Sequence, residues 1–128
     1  VNTSAHEDVI LVVEDDDDLR DNLCEVLEVE GFRAVGAVNG LAALKYLQAH
    51  MPPCLILLDL MMPGMSGGEF RALQLDDTHL ARVPTIVVSA MAIDHQQEQV
   101  RGAAGYLTKP LSLTDLFQAV RQHCEAAH

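Results

Sequence analysis

Five polar residues in this chain stand where apolar runs end, and their types together suggest chemistry. Val9-Ile10-Leu11-Val12-Val13 runs into Glu14-Asp15, Leu55-Ile56-Leu57-Leu58 into Asp59, Ile86-Val87-Val88 into Ser89, and Tyr106-Leu107-Thr108 into Lys109. Brought to one place, these are three carboxylates, a hydroxyl and an amine. Clustered acids are unfavourable alone, since two unit charges about 4 Å apart repel by roughly 4 kcal/mol at an effective dielectric near 20. Lys109 supplies one compensating charge. A hard divalent ion with oxygen ligands is the natural second, and Mg2+ suits an open site because it is held by one or two carboxylates, keeps several waters and accepts phosphate oxygens.

The elements that must position these residues are legible from the same runs. Four aliphatic residues before Asp59, with Pro63-Gly64 soon after, read as a strand buried on both faces in a parallel sheet covered by helices. In such open sheets the crevice outside the carboxyl ends of the strands is where ligands bind. After the first strand, Leu19, Leu23, Val26 and Leu27 share one face at helical spacing, and Gly31 supplies a stop. The helix begins within Glu14-Asp15-Asp16-Asp17-Asp18, because Asp favours the positive end of the helix dipole. Glu14 and Asp15 are placed at the strand's end, with a one-residue slip to Asp15 and Asp16 as the alternative register.

Phe32 to Val38 is a short strand, and Asn39 caps a helix to about His50 with Leu44 and Leu47 inward. Ser66-Gly67-Gly68-Glu69 matches a capping box opening a helix to about Leu75, and Asp76 to Arg82 reads as a polar loop. Val83 to Val88 is a fourth strand, a short helix runs to about Val100, and Gly102 to Thr108 is a fifth strand. Ser112 caps a last helix with Leu113, Leu116, Phe117 and Val120 inward. Five strands alternating with five helices predict an α/β fold, a doubly wound five-stranded parallel sheet with right-handed crossovers. Residues 1–128 form a single domain, with 1–8 as a poorly ordered tail.

Composition excludes several function classes. The net charge is −11, with eight Lys and Arg against 19 Asp and Glu, so no basic face exists for direct nucleic-acid binding. No apolar run approaches the roughly 20 residues of a membrane span, and the first residues lack the order of a signal peptide, which points to a cytoplasmic protein without membrane contact. Cys24, Cys54 and Cys124 are odd in number and far apart, and read as reduced thiols. The six His residues show no metal-binding spacing and read as solvated.

From Val9 to about Cys124 the sequence resembles the receiver (CheY-like) domain of two-component response regulators. The resemblance rests on the acidic pair Glu14-Asp15, the stretch Asp59-Leu60-Met61-Met62-Pro63-Gly64-Met65-Ser66-Gly67, Ser89-Ala90, and Gly102 to Lys109-Pro110, in this order and at these spacings. It implies that Asp59 is the phosphoacceptor, that Asp15, Asp59 and the backbone carbonyl of Met61 bind Mg2+ (or Mn2+), and that Glu14 acts through a metal-bound water. By the same implication Ser89 and Lys109 contact the phosphoryl group, Tyr106 is the switch aromatic together with Ser89, and the Lys109-Pro110 bond is cis. The donor would be a sensor histidine kinase or a histidine phosphotransfer protein. A homodimer or an output partner would use the fourth helix, fifth strand and fifth helix. The segment Ala90 to Arg101 departs from the family pattern by being about two residues short, which predicts a short, loosely held fourth helix.

Other classes fit less well. An aspartate-nucleophile phosphatase of the haloacid dehalogenase type needs a second Asp two residues after the nucleophile, where this chain has Met61. The domain is therefore expected to catalyse only its own phosphorylation and dephosphorylation. A flavodoxin-like cofactor binder needs a phosphate loop after the first strand, where this chain has acids that would repel phosphate. The remaining alternative is a receiver-like interaction module that works without phosphorylation.

Overall fold

The two aliphatic runs expected as buried strands lie side by side. In the computed structural model, which describes residues 7–62, 64–90 and 102–126, β1 (Glu7–Val13) pairs in parallel with β3 (Pro53–Asp59), Ile10 opposite Leu55 and Val13 opposite Leu58. With β2 (Arg33–Ala37), β4 (Thr85–Ser89) and β5 (Gly105–Thr108) they make one parallel sheet in the order β2-β1-β3-β4-β5. The order reverses between β1 and β3, and a crevice opens beyond the strand ends at such a reversal. Every residue of β3 is buried, as the unbroken apolar run requires.

Successive strand side chains point to opposite faces, so the sheet feeds two cores. Ile10, Val12, Leu55 and Leu57 pack with Leu23 and Leu27 of α1 (Asp17–Val29) and with Leu116 and Val120 of α4 (Leu113–Arg121). Leu11, Val13, Ile56 and Leu58 pack with Ala43 and Leu47 of α2 (Gly40–Ala49) and Phe70 of α3 (Gly67–Asp76). Each of the four described α-helices starts on a side-chain cap: Asp16 accepts from the Leu19 N–H, Asn39 from Ala42, Ser66 from Glu69, and Ser112 from Asp115. Ser66 and Glu69 close the full capping box, since the Glu69 carboxylate also accepts the Ser66 N–H at 2.9 Å. Helix α1 stops where Gly31 takes φ 99°, and the Phe32 N–H bonds the Leu27 carbonyl while the Gly31 N–H bonds Glu28.

Several expectations need correction. Glu7 and Asp8 belong to β1 and not to a tail, because the Glu7 N–H donates to the Pro52 carbonyl at 2.9 Å. The stretch read as a polar loop contains a 3-10 turn, Leu80–Arg82, since Asp77 caps the His79 and Leu80 N–H groups and Leu80 is buried. Leu113 is 51 % exposed, because as the first residue of α4 it precedes the turn that meets the sheet. Cys54 and Cys124, read as thiols, form a disulfide, and Cys24 is the free cysteine. Among the described residues there are four α-helices and the 3-10 turn, and the helix expected between Met91 and Arg101 lies outside them. No helix among them is long and apolar enough to cross a membrane.

Candidate functional site

Asp59 is the last residue of β3, and the Leu60 N–H still bonds the Val88 carbonyl at 3.1 Å, so the strand carries its carboxylate to the sheet edge beside β4. Glu14 follows β1 directly and stays extended through its N–H bond to Ala37 O at 3.1 Å. Both carboxylates are buried, Glu14 at 3 % and Asp59 at 4 % exposure. Asp15, half-buried, completes a group in which one oxygen from each of the three lies within 4.8 Å of the others. This decides the register in favour of Glu14 and Asp15. Asp16 is instead the N-cap of α1, and its N–H donates to Glu14 Oε2 at 3.0 Å.

Lys109 reaches the group from beyond β5. Its N–H donates to the Ser89 carbonyl at 2.8 Å, the Lys109–Pro110 peptide is cis, and its ammonium lies 3.0 Å from Glu14 Oε1 and 3.6 Å from Asp59 Oδ1. The Met61 N–H donates to Asp59 Oδ1 at 3.2 Å. Ser89 is buried as the last residue of β4. Tyr106, in β5, packs half-buried against Leu60, Val87 and Ala103. Glu14, Asp15, Asp59, Ser89 and Lys109 thus share one edge of the sheet, and Tyr106 lies within β5, paired with Val87.

Electrostatics at this edge differ from what the sequence alone suggests. Burial and the neighbouring Glu14 charge push the Asp59 carboxyl up to about 7, although the Met61 N–H and Lys109 pull the other way. Burial works against the Lys109 charge too, but its bond to Glu14 and the charge of Asp59 outweigh that and hold its pKa above the ordinary value. Burial and Glu14 thus favour the protonated form of Asp59 more than an isolated aspartate would. Lys109 pairs more closely with Glu14 than with Asp59, and one cation does not balance three acids. An all-oxygen donor set with uncompensated buried charge is what a hard divalent ion such as Mg2+ satisfies, so the residues fit that ion.

Two supporting arginines were not evident from the sequence. Arg20 of α1 donates from Nη1 to the Glu14 carbonyl at 2.8 Å, and its stem lies against Gly36 of β2. Arg71 of α3, buried, donates to Gln74 Oε1 at 2.8 Å, Thr85 Oγ1 at 3.1 Å and the Gly102 carbonyl at 3.2 Å, which joins α3 to β4 and to the approach of β5. The signal for the second was present, because Phe70, Arg71 and Gln74 share the inward side of α3 at helical spacing.

Comparison with known proteins agrees with this geometry. Residues 10–121 match the family model of the response regulator receiver domain. The polar-differentiation response regulator DivK of Brucella anthropi is 30% identical over 116 residues, covering 89% of this chain and 94% of that protein. A response regulator receiver protein from Pseudomonas putida superimposes with a TM-score of 0.85 at 29% identity, covering 93% of this chain and 99% of that one. The response regulator TrrA from Thermotoga maritima, solved in complex with Mg2+ and BeF, gives a TM-score of 0.79 at 29% identity over 91% of this chain and 98% of its own. With five parallel strands in the order β2-β1-β3-β4-β5 and the acidic edge at its reversal point, the chain belongs to the response regulator receiver domain family.

Proposed function

We propose that this domain receives a phosphoryl group on Asp59 from a phosphohistidine of a sensor kinase or histidine phosphotransfer protein, or from a small acyl phosphate. The observation that carries the reading is the gathering of Glu14, Asp15 and Asp59 oxygens within 4.8 Å with the Lys109 ammonium 3.6 Å from Asp59. An Asp59 oxygen attacks phosphorus in line with the leaving nitrogen. The O–P bond forms, the N–P bond breaks, and the departing imidazole takes a proton from solvent. No general base is needed once Asp59 is ionised. Bound Mg2+, held by Asp15, Asp59 and the Met61 carbonyl with Glu14 outside, would neutralise phosphoryl oxygens and keep Asp59 ionised. Lys109, paired with Glu14 and 3.6 Å from Asp59, would turn to the incoming phosphoryl oxygens, and the Ser89 hydroxyl would donate to them.

Signalling follows if the Ser89 hydroxyl moves toward the phosphoryl group and Tyr106 takes up the space beside β4, a bias of about 1 to 3 kcal/mol on an existing equilibrium. The output face would include β5 and α4, through a second copy or a partner. The domain would turn over no external substrate, and its place would be the cytoplasm, where such donors work. Incubation with acetyl phosphate and Mg2+ should add the mass of one phosphoryl group, and Asp59→Asn should abolish the addition. Undiminished addition in that variant would refute the assignment.

A further inference from the structure

The edge of the sheet opposite the acidic site holds a second pair of reactive groups. Cys54, the second residue of β3, and Cys124, one turn beyond α4, are joined across 70 residues of sequence with their Cα atoms 5.6 Å apart. The Cys124 N–H bonds the Val120 carbonyl at 2.9 Å, so the bond fastens the end of the last helix to the strand that carries Asp59. Both residues are buried, at 3 % and 5 % exposure. A domain of this size, with a core on each face of its sheet, does not depend on a staple as small secreted domains do.

Though buried, Cys54 borders a cavity of about 770 Å3 whose lining also includes His50, Pro53, His79, Leu80 and His123. His123, part of the same lining, adjoins Cys124 in sequence. We propose that Cys54 and Cys124 are a reversible dithiol–disulfide site that exchanges with a low-molecular-weight thiol of the glutathione type through this cavity. A thiolate RS− attacks Cys54 Sγ, the Cys54–Cys124 bond breaks, and Cys124 leaves with the electron pair and takes a proton. A second RS− attacks the sulfur bonded to Cys54, which releases RSSR and the Cys54 thiolate, protonated in turn. Two RSH are oxidised and one protein disulfide is reduced, and oxidation by RSSR is the reverse. The site lies apart from the proposed phosphoacceptor and stands whether or not that reading holds.

The test uses the full chain with Cys24→Ala, leaving two cysteines, in buffers of set reduced-to-oxidised glutathione ratio, with thiols trapped and counted by mass. The expected result is a reversible gain and loss of two thiols, with the midpoint inside the range over which glutathione is poised in cells. Reduction should rise in rate with glutathione concentration, and Gln48→Trp, an exposed cavity-wall position, should slow it about tenfold through access alone. If Gln48→Trp lowers the melting temperature, His79→Trp on the same wall is the replacement. Amide exchange at the end of α4 should quicken on reduction. A pair that stays oxidised in excess reduced glutathione, or that stays as thiols in oxidised glutathione, would overturn the proposal. So would reduction no faster than global unfolding and indifferent to both tryptophans.

Discussion

The two edges of this sheet are built from the same strands and yet have opposite character. At the carboxyl edge β1 and β3 end in Glu14, Asp15 and Asp59, Lys109 approaches, and Asp16 caps the start of α1. At the amino edge β3 begins in Pro53-Cys54, and the cavity there is lined by prolines, aliphatic side chains and imidazoles together with Gln48, Asp77 and Arg82. The difference follows from parallel topology. Helix N-termini, with their unpaired N–H groups and positive dipole ends, follow strand C-termini, so that edge tolerates clustered acids and suits anionic ligands. The other edge receives the helix C-termini, whose field has the opposite sign and does not favour clustered acids. β3 takes part in both, with Asp59 at one end and Cys54 near the other.

Breaking the comparison at its charged end should give the largest effect. Asp59→Asn should remove all phosphoryl uptake while leaving thiol counts in glutathione buffers unchanged; a change in both would mean that the edges are not independent. Next comes the sulfur end. Reducing Cys54–Cys124 should lower unfolding free energy by about 2 to 4 kcal/mol in denaturant titrations, since an open chain regains loop freedom, and phosphorylation should persist. Mg2+ should stabilise the oxidised protein by about 2.7 kcal/mol at a hundredfold excess over its dissociation constant. Asp15→Asn should weaken that binding by about tenfold in calorimetric titration, as one ligand charge is lost. Equal affinity would remove Asp15 from the metal site.

The pH response sharpens the same contrast. The Asp59 carboxyl lies at about 7 in the metal-free fold against 3.8 as its ordinary value, so the folded state holds the proton more tightly. Its contribution is fully present below about pH 4 and is lost as pH rises through about 7. In chelator, stability should therefore fall from pH 5 to pH 8 by a component that Asp59→Asn removes. A parent and variant with the same pH profile would contradict this. The smallest effect is expected from Ser89→Ala, which should still accept phosphate but no longer pass the change to Tyr106, read as the missing shift of its ring resonances.

Much of the carboxyl edge was legible because its signal is local: an apolar run followed at once by a polar residue marks a strand end, and parallel topology gathers strand ends. Glu14, Asp15, Asp59, Ser89 and Lys109 are each found this way. The amino edge was not, because a bond between residues 54 and 124 exists only once α4 has docked on the sheet, and no spacing encodes that. The shift at Asp59 is hidden from the sequence for a related reason. Its pKa depends on burial and on Glu14, which meet only in the fold. Asp76 to Arg82 misled through composition, since buried Leu80 among polar neighbours anchors a turn rather than a loop.

Gly36 carries no chemistry, yet it governs some. A methyl group placed on it would come within 2.9 Å of Arg20 Cδ and 3.0 Å of Cγ, well inside van der Waals contact. Those are stem atoms, not the free end of the side chain, so the whole arginine would have to move. Its guanidinium is what holds the Glu14 carbonyl, and with it the backbone leading into Asp15. Under the proposed function, the affinity of the acidic site for Mg2+ would be open to adjustment from a neighbouring strand, by changes in side-chain bulk at Gly36. A bulkier residue at position 36 would then retune that affinity while Glu14, Asp15 and Asp59 stay in place.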